Sequence, residues 1–243
     1  MPLSPGRVLA PSALLALVVT TSGCAGDPVS PGVARVEATT RVTPSGTPSA
    51  QTAAPSSPAP ASAAAPGPHP SDGTPRRATL SIPEAGVQQL QVVPYVGWTD
   101  DAPGTVIQNR GNAASPHGPR GGVGPGGVGN YQVTAHRNTA GGPFFSVPDL
   151  RAGDRLTLTA AGVSYTYEIT GTRETSFRST ASLAAHRAAV PGQPGVAPTR
   201  AMITISTCAT QEDHAEGNYW SDELDNPEHR IDKIGVLTQT VPA

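Results

Sequence analysis

The sequence predicts a mainly β domain, a closed or nearly closed β-barrel with one or two short helices, carried behind a disordered linker. Three observations predict it. Segments of strand length alternate apolar and polar residues, Gly- and Pro-rich turn signals separate them, and only one stretch has the character of a helix. Net charge is −2 and charged residues are only 14%. Such a balance lacks the basic face of a nucleic-acid binder.

Residues 1–26 read as an export signal or membrane anchor. Arg7 precedes a short apolar core from Val8 to Val19. That core is shorter than the roughly 20 residues a membrane span needs. Thr21-Ser22-Gly23-Cys24 resembles the lipobox of bacterial lipoproteins, with Thr21 where an aliphatic residue is usual. Lipidation of Cys24, an uncleaved anchor and ordinary cleavage nearby stay open. All three place the rest of the chain at the extracytoplasmic face of the plasma membrane.

Residues 27–77 read as a linker. Thr43 to Pro75 is nearly all Pro, Ala, Ser, Thr and Gly, has no apolar period and cannot bury a core. Fifty flexible residues reach roughly 40 Å. The folded domain is expected over 78–243. Its strands are Ala78–Pro83, Val87–Val93, Tyr131–His136, Asp154–Thr159, Val163–Thr170, Arg200–Thr207 and Ile231–Gln239, with Ala161-Gly162 as the turn of a hairpin. Ser179–Val190, Ala-rich with a Ser/Thr start, is the helix candidate. Residues 109–130 are Gly-rich without a nucleotide-binding pattern and are expected to form a mobile surface loop.

The chemistry-bearing candidates sit at strand ends. Cys208 closes one strand, His136 another, and Arg230 opens the last. An imidazole can take a thiol proton and later return it to a leaving amine. A guanidinium can hold a substrate backbone and stabilise an oxyanion. Two cysteines, Cys24 and Cys208, are too few for a disulfide framework, so a thiol outside the cytoplasm calls for a use. His69, His117, His186, His214 and His229 are expected to be solvated.

These residues resemble the sortase family, most closely its class E members from actinobacteria. Thr204-Ile205-Ser206-Thr207-Cys208 is similar to the Thr-Leu-x-Thr-Cys motif. Ala135-His136-Arg137-Asn138-Thr139, followed by Gly142-Pro143-Phe144, is similar to Gly-His-Arg-Thr-Thr and Gly-x-Pro-Phe. Leu150 to Asp154 resembles Leu-x-x-Gly-Asp, and Arg230 leads into a closing strand as in the family. The resemblance implies a sortase-type barrel of about eight strands and a cysteine transpeptidase. Its nucleophile would be Cys208, its proton donor and acceptor His136, and its oxyanion and orienting group Arg230. It also implies partners: secreted proteins with a C-terminal sorting signal, Leu-Pro-x-Thr-Gly or Leu-Ala-x-Thr-Gly, and a cell-wall amine acceptor. The region between the Ile169 and Ile203 strands would gate the substrate.

Two segments depart from the family pattern: the Gly-rich 109–130, and the acidic insert 211–225 between Cys208 and Arg230. The insert has no EF-hand spacing, so it reads as a solvated loop rather than a Ca²⁺ site, and no cofactor is expected. Other readings are an exported binding module with an inactive sortase-like fold, and an L,D-transpeptidase, whose Ser-x-Gly before the cysteine is missing here. Papain-like hydrolases carry Cys before His, the opposite order.

Overall fold

The computed structural model describes residues 71–243; the expectations for the signal, for Cys24 and for all but the end of the linker lie outside them. The described chain runs β1 (Ala78–Ile82), β2 (Val87–Val96), α1 (Ala102–Gln108), β3 (Ala113–His117), β4 (Gly129–Thr134), β5 (Arg155–Ala160), β6 (Val163–Ser176), α2 (Thr180–Arg187), β7 (Ala201–Cys208), α3 (Thr210–Ala215) and β8 (His229–Pro242). The strands close into a barrel in the order β1-β2-β3-β4-β7-β8-β6-β5. The mainly β fold with few short helices is thus as the sequence indicates.

Strand alternation builds the core. Leu156 and Leu158 of β5 are fully buried and pair across the hairpin with Tyr167 and Tyr165. Tyr131 and Val133 of β4 lie beside Ile203 and Ile205 of β7 in parallel register. Each such side chain contributes roughly 1.5–3 kcal/mol on leaving water. The intervening residues point to the other face of the sheet. On β4, β7 and β8 these are Gln132, Thr134, Thr204, Ser206, Arg230 and Asp232, polar and yet buried. That buried polar face carries the candidate site.

Three expectations need correction, and one helix is added. The 109–130 segment is not a mobile loop. Its first part is β3, parallel to β2 and bridged to β4 at Ala114 and Thr134. Its glycines allow close packing: a Cβ on Gly122 would meet the Asn130 carbonyl oxygen at 2.1 Å, and one on Gly124 the Thr74 oxygen at 2.1 Å. Residues 102–108 form α1, unforeseen because no apolar period marks it; Asp101 caps it, its carboxylate accepting from Gly104 N at 2.9 Å. The acidic insert begins with α3 rather than loop. Finally, His186 is not solvated but buried, as shown below.

Helix α2 starts where expected. Ser179 is its N-cap and accepts from Ser182 N. The chain before β1 also packs on the domain, with Ser71 N donating to Gly126 O at 3.1 Å. Among the described residues no helix is long and apolar enough to cross a membrane.

Candidate active site

Cys208 is the last residue of β7 and pairs across the antiparallel ladder with Arg230 of β8. The thiol is half-buried. Arg230 is 1% exposed, and its Nη1 donates to Cys208 Sγ at 2.7 Å. The other nitrogen, Nη2, donates to Thr134 Oγ1 at 3.0 Å and forms an ion pair with Asp100. One fork thus spans the sulfur and the buried wall behind it.

His136 follows the end of β4 by two residues. Thr207 Oγ1 donates to Ala135 O at 2.9 Å, tying the residue before Cys208 to the residue before His136. The His136 Nε2 lies 2.7 Å from Asn109 Oδ1. An amide oxygen only accepts, so Nε2 carries the hydrogen and Nδ1 is left as the acceptor. Cys208 and His136 line one cavity of about 400 Å³, with Asn109, Arg137 and Asn226. Among the described residues no hydrogen bond joins the thiol to the imidazole, though both line the one cavity.

Arg137 locks the two loops together. Its Nη1 donates to Cys208 O at 3.2 Å, and its guanidinium grips both carboxylate oxygens of Glu212 on α3. The first turn of α3 is therefore held against the histidine loop. Asp213, the next residue, accepts from His229 N at 3.0 Å and from its Nδ1 at 2.6 Å. Burial lowers the pKa of His229, but Asp213, Glu174 and Glu228 outweigh it and raise the value.

Burial pushes the Cys208 thiol up to about 12, against the pull of Arg137 and with the push of Asp222. The guanidinium donating to the sulfur opposes that shift, since a thiolate is the far better acceptor. Burial also lowers His136 from its ordinary 6.5. Both shifts favour the neutral forms, so the resting pair is thiol and uncharged imidazole. Arg230 is lowered to about 10 by its own burial, which Asp232 and Tyr95 oppose; it stays charged at neutral pH.

Behind Arg230 lies a network that sequence reasoning missed. Asp232 accepts from Thr175 Oγ1 at 2.6 Å, Ser206 Oγ at 2.7 Å and His186 Nδ1 at 2.8 Å. His186 Nε2 then meets Thr99 Oγ1 at 2.9 Å. His186 thereby ties α2 to the floor of the sheet. In the sequence it shows only as polar residues at alternate positions, Ser206, Arg230 and Asp232, which a solvated strand face would show as well.

Three carboxylates of the acidic insert are held by protein partners. Glu212 takes Arg137, Asp213 takes His229, and Asp222 takes the N–H groups of Leu224 and Asn226. Among the described residues no group of three or more His, Cys, Asp or Glu could hold a metal ion.

The closed eight-stranded barrel, with thiol and imidazole in one rim cavity and a guanidinium on the sulfur, defines a barrel protein equipped for thiol chemistry. Residues 80–220 match the Sortase domain, which is more than half of the chain. The chain belongs to the sortase family, whose domain makes it a transpeptidase. The matched span includes His136 and Cys208 and stops short of Arg230.

Two solved structures share the fold. The SrtA sortase from Actinomyces oris is 19% identical, with 74% of this chain and 89% of that one covered and a TM-score of 0.52. Sortase E1 from Streptomyces coelicolor with a tripeptide in the active site is 20% identical, with 72% and 94% covered and a TM-score of 0.51. At such identities the likeness speaks for the fold alone. Among curated proteins no relative matches the chain.

Proposed function

We propose that this sortase cleaves a C-terminal sorting signal of secreted proteins, Leu-Pro-x-Thr-Gly or Leu-Ala-x-Thr-Gly, between Thr and Gly, and passes the acyl group to a cell-wall amine. Cys208 is the nucleophile. Its proton goes to His136 Nδ1, and the sulfur bonds to the threonine carbonyl carbon. Arg230 stabilises the oxyanion. As the carbon–nitrogen bond breaks, the imidazolium returns its proton to the departing glycine amine. The thioacyl-enzyme then meets the acceptor amine, whose nitrogen forms the new amide and gives its proton to His136 while the sulfur leaves. Tethering through residues 1–26, by lipid on Cys24 or by an anchor, would hold the domain at the outer face of the plasma membrane. No cofactor is needed.

The observation that carries this reading is the guanidinium of Arg230 donating at 2.7 Å to the sulfur of Cys208, a residue that lines the same cavity as His136. An inactive scaffold has no need of a buried cation on a thiol. The test is mass spectrometry of the protein after incubation with each signal peptide. A Cys208 thioester that loses the glycine-side fragment, and that is absent in Cys208→Ala, is expected. No adduct with either signal would overturn the reading.

A further inference from the structure

We infer that Asp100 is a positioning residue for the reaction: its carboxylate holds the Arg230 guanidinium in the orientation that puts Nη1 on the sulfur of Cys208. The inference rests on the roles proposed above for Cys208 and Arg230.

Asp100 belongs to neither the strands nor the motifs that suggest the site. It sits between β2 and α1, and its side chain is 1% exposed. Its φ is 62°, the left-handed region that non-glycine residues seldom enter. That turn sends the carboxylate inward beneath β8 instead of out to solvent. Oδ1 is fixed by Gln108 Nε2 at 2.8 Å and Thr134 Oγ1 at 3.2 Å. Oδ2 has no partner but Arg230 Nη2.

A second carboxylate, Asp232, lies close enough to Arg230 to affect its charge. Its oxygens, however, accept from Thr175, Ser206 and His186. Asp100 is therefore the ion-pair partner, and Asp232 supplies background field. The arrangement is directional. With Nη2 clamped by Asp100 and Thr134, the planar fork leaves Nη1 one place to point, the Cys208 sulfur. Without Asp100 only a hydroxyl would hold Nη2, and the guanidinium could turn off the thiol.

A merely structural Asp100 would neutralise a buried charge and nothing more. The two roles separate in the reactivity of Cys208 itself. The test follows alkylation of Cys208 by iodoacetamide across pH in the full chain, beside thermal melts. Asp100→Asn keeps the volume and an acceptor for Gln108 but sets an amide N–H₂ or a neutral oxygen against Arg230. It should slow alkylation at pH 7.5 by about tenfold, the effect of one unit in thiol pKa, whereas loss of a nearby anion by itself would favour the thiolate and speed it. Asp100→Glu should recover part of the rate. Gln108→Leu, which removes only the support of Asp100, should shift the profile the same way by less.

A folded Asp100→Asn protein with the parent's alkylation profile would overturn the inference. So would a change in melting temperature alone. Should Asp100→Asn fail to fold, an unchanged profile in Gln108→Leu overturns it equally. Alkylation needs no sorting peptide, so a parent protein that forms no thioester speaks against the proposed function and leaves this test standing.

Discussion

Cys208 and Arg230 face each other across the β7–β8 ladder, and the buried guanidinium donates to the half-buried sulfur at 2.7 Å. Antiparallel pairing at this position puts two side chains on the same face of the sheet at the closest approach two strands permit. The register that packs Ile203 and Ile205 into the core therefore also delivers the thiol to its cation.

The first prediction separates charge from geometry in Arg230. Arg230→Ala leaves Asp100 buried without its partner, which costs about 3–5 kcal/mol of stability. Acylation should fall by about 10²–10³, the usual effect of losing an oxyanion donor. Arg230→Lys restores one charge but not a fork, and a single ammonium cannot serve both Asp100 and the sulfur. The lysine variant should recover more of the melting temperature than of the acylation rate. Equal recovery of both in single-turnover kinetics and melts would contradict the two-pronged role.

A pH profile tests the neutral resting pair. Burial holds Cys208 up to about 12 and His136 below 6.5. Between those values the thiolate–imidazolium form is a small, constant fraction, so kcat/KM should be flat through neutrality. As pH falls through the lowered histidine value, solvent protonates the imidazole and removes the acceptor. The rate should then drop about tenfold per pH unit. The alkaline limb follows the thiol and lies far above neutrality. An acid limb above 6.5, read with a fluorogenic signal peptide, would contradict the burial of His136.

The network beneath the site predicts a stability effect. His186→Ala removes the Nδ1 donor from a fully buried carboxylate. Breaking such a pair costs about 3–5 kcal/mol, or about 10 °C in a domain of this size. Burial would raise the Asp232 pKa, but His186, Thr175 and Ser206 together bring it below 3.8. A depressed folded value means the carboxylate contributes stability above its unfolded pKa and loses it as pH falls through the folded one. The gap between parent and His186→Ala melting temperatures should therefore be full at neutral pH and narrow below 3.8. A gap that widens in acid would refute the reliance of the ionised Asp232 on His186.

His186 also marks where the sequence ceases to be legible. Period-two alternation exposes the core face of β5, β6 and β7, and Ser179 announces α2, because those signals are local. The site's order of His136, Cys208 and Arg230 is legible through motifs at strand ends. The polar face of β4, β7 and β8 carries the ordinary pattern of a solvated one, and it is interior because α2, the 97–101 segment and Phe177 fold over it. Asp100 meets Arg230 from far along the chain, with no local mark. The glycines of 122–127 are equally ambiguous, since the missing Cβ that permits freedom also permits close contact.

Asn109 offers the last test, because it reads the histidine tautomer directly. It is the C-terminal cap of α1, and its Oδ1 accepts from His136 Nε2 at 2.7 Å. That bond leaves Nδ1 free to take the thiol proton. Asn109→Ala should let the ring turn and exchange tautomers, lowering kcat by about tenfold, within the range of acid–base contributions. KM and melting temperature should change little, since the bond lies at the exposed rim. Asn109→Asp keeps an acceptor and adds a negative charge beside the ring. An anion there favours the imidazolium, so the histidine pKa must rise, by about one unit or more. The acid limb of kcat/KM should accordingly move to higher pH in Asn109→Asp. If it stays in place while Asn109→Ala is fully active, Asn109 does not hold His136 during catalysis, and the imidazole must find its orientation from the substrate instead.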